Sequence, residues 1–129
     1  MNSHDMTRCR VMVVDNSLEI LALIEELLRP YGVDLLTVSM PEAAVKQAAG
    51  FAPHAVYLGL EFLDCDGWDL AQRLRRLPEL RKTMLVGLVD RGNGWQSEDG
   101  KGDRGFDYYL PKPPTMKDII KAMTNESPS

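Results

Sequence analysis

A chain of 129 residues, 44% of them hydrophobic, is long enough for one domain with a core of its own. Acidic residues outnumber basic ones by 19 to 15, so the chain offers no basic field for nucleic acid or an anionic membrane. No apolar run reaches the ~20 residues needed to span a bilayer. Two cysteines, Cys9 and Cys65, and two histidines, His4 and His54, lack the paired spacing of a zinc site, and nothing at the start resembles a secretory leader. A cytoplasmic protein with reduced thiols is expected.

Cys9 to Val14 is a short run rich in valine, and the polar turn Asp15-Asn16-Ser17 ends that strand and caps a helix. From Leu18 to Arg29, at about 100° per residue, Ile20, Leu21, Leu23, Ile24, Leu27 and Leu28 share one arc. Leu18 lies at its edge, and Pro30 and Gly32 stop the helix. Val33 to Val38 reads as a second strand. Ser39-Met40-Pro41-Glu42 has capping-box spacing with proline in the first turn, opening an alanine-rich helix to about Ala49. The third unit places a strand at Ala55 to Leu58 and a helix from about Trp68 to Leu77, ended by Pro78. Met84 to Val89 is a continuous apolar run of the kind a parallel sheet buries on both faces.

Residues 90–105 then carry five glycines and no apolar periodicity where a fourth helix belongs. At ~1 kcal/mol per interior glycine, a stable helix is not expected there. Tyr108 to Leu110 forms a fifth strand and Thr115 to about Thr124 a final helix. The domain is expected over residues 8–124, with 1–7 and 125–129 as flexible termini. Strands alternating with helices imply right-handed crossovers and a doubly wound α/β sheet.

Three markers, the Val13-Val14-Asp15 strand end, the Asp66-Gly67 step before the third helix and the Lys112-Pro113 pair after the fifth strand, stand at a telling spacing. Over about Arg10 to Met123 the chain resembles the receiver domain of response regulators in two-component signalling. The resemblance implies a flavodoxin-like, five-stranded parallel sheet in the order 2-1-3-4-5. It also implies a phosphoryl-accepting aspartate ending the third strand and two acidic residues ending the first, which bind Mg²⁺ with it. A hydroxyl residue ending the fourth strand and a lysine after the fifth would contact the phosphoryl group.

Matched residue by residue, most of that apparatus is missing. Asp15 falls on the first acidic position and the neutral Asn16 on the second. Gly59 falls on the phosphoacceptor, Val89 on the hydroxyl position, Lys112 on the lysine and Tyr109 on an aromatic switch position. Mg²⁺ dehydrates reluctantly and needs oxygen ligands in near-octahedral array, so a site cut from three carboxylates to one binds it poorly. No cofactor and no metal is expected, Asp15 being the residual weak ligand candidate. Phosphoryl transfer needs an in-line nucleophile and an electrostatic clamp, and both are lost together. Asp15 and Lys112 either pair across the strand ends, contributing ~0 to 1 kcal/mol if partly exposed, or are separately solvated.

Glu61, Asp64 and Asp66 follow Gly59; Glu61 sits where the family uses a backbone carbonyl as a metal ligand, and a solvated acidic loop is favoured over a surrogate phosphoacceptor. Gly100-Lys-Gly-Asp-Arg-Gly105 matches a G-x-G-x-x-G string but precedes a strand, the wrong context for a dinucleotide loop. Trp68 is expected to pack against the third helix. Trp95, among the glycines, either folds back over the sheet or awaits a partner. The favoured reading is a receiver-like module that works without phosphorylation, is not an enzyme, and acts through a protein partner or self-association at a surface that includes Trp95 and Tyr109. The alternative is a flavodoxin-like binder of a small ligand or cofactor, or an enzyme, at the strand ends near Asp15, Gly59 and Lys112.

Overall fold

The computed structural model describes residues 9–60, 62, 66–90 and 105–124. Five strands, β1 (Arg10–Val14), β2 (Asp34–Val38), β3 (Ala55–Gly59), β4 (Met84–Asp90) and β5 (Tyr108–Lys112), form one parallel sheet in the order β2-β1-β3-β4-β5. Among the described residues four helices accompany them: α1 (Leu18–Leu28), α2 (Pro41–Phe51), α3 (Gly67–Arg75) and α4 (Met116–Thr124). The sheet order is the one that the receiver resemblance implies. Residues 91–104, where glycines argue against a further helix, lie outside the described residues, as do Trp95, Glu61, Asp64 and both chain ends.

Each face of the sheet buries its own apolar set. Met12, Val14, Val56, Leu58 and Leu85 pack with Ala44 and Ala48 of α2 and Leu70, Ala71 and Leu74 of α3. Val11, Val13, Tyr57, Val86 and Leu88 pack with Leu21, Ile24 and Leu28 of α1 and Ile119 of α4. At about 1.5–3 kcal/mol for each fully buried large aliphatic side chain, this packing outweighs the intrinsic helix preference of an 11-residue segment such as α1. Leu18, at the edge of the apolar arc, is 71% exposed.

The helix starts follow local chemistry. Ser17 caps α1 by accepting from the Ile20 amide at 3.3 Å. Thr115 and Asp118 cap α4 reciprocally, each backbone N–H donating to the other's side-chain oxygen at 3.0 and 3.1 Å. The capping box expected at Ser39 does not form. Proline at the first position of α2 requires an extended residue before it, so Met40 occupies the cap without a side-chain bond and Ser39 is one residue too early. Glu42 is instead gripped by Arg73 of α3 through two bonds of 2.8 and 3.2 Å, and that guanidinium holds its carboxyl below the usual 4.5. At the far end of α1, the chain passes through a 3-10 turn over Arg29–Tyr31 and leaves it at Gly32, whose φ of 74° suits glycine.

Arg75, which attracts no notice in the sequence, ties four segments together. Its guanidinium donates to the carbonyls of Leu80, Thr83 and Gly105 at 3.3, 2.7 and 3.1 Å and pairs with Asp107 at 3.0 Å. Asp107 Oδ2 also accepts from the Leu85 amide at 2.9 Å, fixing the chain where β5 begins beside β4.

Gly67 is a close backbone approach. Its amide donates to the Leu60 carbonyl at 2.9 Å, and a Cβ there would stand 2.5 Å from both the Gly59 carbonyl oxygen and Leu60 Cα. Because the obstruction is backbone, it cannot swing aside. Gly67→Ala should cost about 1–3 kcal/mol in urea unfolding, and a variant within a few tenths of wild type would show that the connection relaxes freely.

Candidate functional site

The C-terminal ends of β1, β3 and β5 bring together Asp15, Gly59 and Lys112, as the sequence predicted for a doubly wound sheet. Asp15 follows β1 directly, and its backbone N–H donates to the Val38 carbonyl at 3.1 Å, which locks the strand end against β2. Its carboxylate accepts from the Ser17 amide at 2.8 Å through one oxygen and from Lys112 Nζ at 3.0 Å through the other. Of the two arrangements open for Asp15 and Lys112, the direct pair forms. Asp15 is 1% exposed and the Lys112 side chain 15%. The carboxylate is thus fully buried and the ammonium partly so, and the surface-scale contribution of a mostly exposed pair does not apply to Asp15.

The space at Gly59 has an occupant. A Cβ built on Gly59 would overlap Asp15 Oδ2 and lie 3.0 Å from Asp15 Cγ. The carboxylate rests against the bare Cα of residue 59, so the opening that a glycine would leave for a ligand is filled from within the chain. Asn16 is exposed beside this pair. Val89 is half-buried and pairs in register with Pro111 of β5. Among the described residues no group of three or more His, Cys, Asp or Glu side chains converges to hold a metal ion.

Asp66 has a structural task. It caps α3, its carboxylate accepting from the Asp69 amide at 2.7 Å, so of the three acidic residues considered as surrogate acceptors the described one is committed to the helix start. Glu61 and Asp64 lie outside the described residues.

Trp68 and Tyr109 meet. The Trp68 indole N–H donates to the Tyr109 hydroxyl at 3.0 Å, joining the first turn of α3 to β5. Trp68 is half-buried against the core face of α2 and α3, so the expected packing holds, but the bond to Tyr109 was not foreseen. Gly87, the cross-strand neighbour of Tyr109, was missed as well. A signal for it existed: an interior glycine in an otherwise apolar central strand marks a close approach.

No family model matches the chain. The protein PilG of Pseudomonas aeruginosa is 25% identical over 126 residues, covering 93% of this chain and 88% of that protein. Among solved structures, a receiver domain from Methylobacillus flagellatus is 20% identical with a TM-score of 0.76, covering 94% of this chain and all of its own. The fold is that of a response-regulator receiver domain. The chemotaxis response regulator CheY4 of Vibrio cholerae has the same fold at 17% identity and a TM-score of 0.78, covering 93% of this chain and 99% of that one. So does the receiver domain of a Pseudomonas aeruginosa sensor histidine kinase, which holds a magnesium ion in its active-site cleft, at 19% identity and 0.78, covering 95% of this chain and all of its own. No helix among the described residues is long and apolar enough to cross a membrane.

Proposed function

We propose that this chain is a receiver-like signalling module that works without phosphorylation and acts in the cytoplasm by binding another protein. The observation that carries this reading is the closure of the place where a receiver would hold its phosphoacceptor. Residue 59 has no side chain, and the Asp15 carboxylate fills the space while Lys112 neutralises it. A receiver lysine free to contact a phosphoryl group is here satisfied internally, and a lone paired carboxylate is a poor start for an octahedral Mg²⁺ site. The chain therefore transmits a signal through its surface and not through chemistry at the pocket. Tyr109 on β5 and Trp95, between β4 and β5 in the sequence, are the residues assigned to that surface.

The test is direct. Incubation of the whole chain with a small phosphodonor and Mg²⁺ should leave its intact mass unchanged, because residue 59 carries no nucleophile and the nearby Asp15 carboxylate is already paired with Lys112. A hydroxylamine-labile phosphoryl adduct on the unmodified sequence would overturn this reading.

A further inference from the structure

We infer that Trp68 and Gly87 lock the Tyr109 ring inward across the sheet, so that α3 and not the acidic pocket sets the position of this ring. Tyr109 on β5 faces Gly87 on β4 as its register partner. With no side chain at 87 the ring can lie over that backbone: a Cβ there would stand 2.8 and 2.9 Å from Tyr109 Cδ1 and Cε1. Those distances leave no space for even a methyl group. Phe106 flanks the ring, with centroids 5.4 Å apart and planes tilted by 46°. At the far end the hydroxyl accepts the indole N–H of Trp68 at 3.0 Å.

The hydroxyl route from the pocket to the ring is missing. Val89, two residues beyond Gly87 on the same face, has no hydroxyl through which a change at Asp15 could reach Tyr109. Trp68 occupies the first turn of α3, immediately after the Asp66 cap and the Gly67 approach, so the indole sits on a helix end whose position is already fixed. Linkage makes the device reciprocal: whatever draws Trp68 away frees Tyr109, and a partner on β5 that pulls the ring outward frees Trp68. Residues 68 and 109 thus couple the start of α3 to the β5 face over a route that bypasses the phosphate chemistry of a receiver.

This inference stands apart from phosphorylation independence, because its readout is the Trp68 indole and not the mass of the chain. In ¹⁵N-labelled full-length protein, the Trp68 indole resonance is assigned by loss of the other one in Trp95→Phe. Tyr109→Phe keeps the ring and its packing while removing the acceptor. It should move the Trp68 indole proton upfield and speed its solvent exchange by roughly fivefold, the scale of one neutral hydrogen bond. Gly87→Ala should shift the same resonance in the same direction by expelling the ring. An indole shift and exchange rate unchanged in Tyr109→Phe would overturn the lock. If Gly87→Ala does not fold, the shape-preserving Tyr109→Phe decides alone.

Discussion

Lys112→Met should lower the unfolding free energy by about 3–5 kcal/mol, the scale for leaving a buried charge without its partner. Asp15 is 1% exposed, and without Lys112 Nζ at 3.0 Å its carboxylate would keep the Ser17 amide as its described charge-stabilising donor. The exposed pairs of Arg29 with Glu25 and Glu26 provide the contrast, because pairs of that kind contribute only ~0–1 kcal/mol. Urea unfolding of Lys112→Met, Asp15→Asn and the double variant forms the cycle that isolates the pair. The double variant should be more stable than Lys112→Met, since it no longer buries an unpaired charge. A Lys112→Met protein within ~1 kcal/mol of wild type would mean that the pair contributes no more than a surface bridge.

Gly59→Asp, which formally restores the receiver's phosphoacceptor, should destabilise the fold by about 3 kcal/mol or more and leave the chain unphosphorylated. Its Cβ would enter the space held by Asp15 Oδ2, and its carboxylate would compete with Asp15 for the single lysine. Gly59→Ala separates the two effects, carrying only the steric part at about 1–3 kcal/mol. Asn16 and Val89 still withhold a metal ligand and a hydroxyl donor, so one substitution should not rebuild a group of residues that act as a unit. A Gly59→Asp protein that is as stable as wild type and accepts a phosphoryl group would show that Asp15 swings aside easily.

The strands and helices were legible from apolar periodicity, while the sheet order and the meeting of Asp15, Gly59 and Lys112 at one edge came from the receiver resemblance carried by a few strand-end residues. What fills Gly59 was not legible. That depends on a rotamer of Asp15 held by a lysine 97 residues away, and no local pattern encodes it. Trp68 and Tyr109 are likewise 41 residues apart, and only the register of β4 against β5 reveals why Gly87 matters to them. At Met40 local signals competed, and the backbone demand of Pro41 prevailed over the hydroxyl of Ser39. Arg75 was invisible for a different reason: its partners are mostly backbone carbonyls, which carry no sequence signature.

The bonds of Arg75 also bear on how this domain could change its length. Asp90 leaves the sheet in register with Lys112, and Gly105 and Asp107 return under the guanidinium, so the chain departs and re-enters at two anchored points. Between such anchors the entropic cost of closure grows only logarithmically, about 0.6 kcal/mol for each doubling of a flexible connection. If a connection between two such anchors is flexible, added length costs little beside the loss of a single buried core leucine. The same clamp that finishes the sheet thus fixes where any connection of β4 to β5 must end, whatever its length.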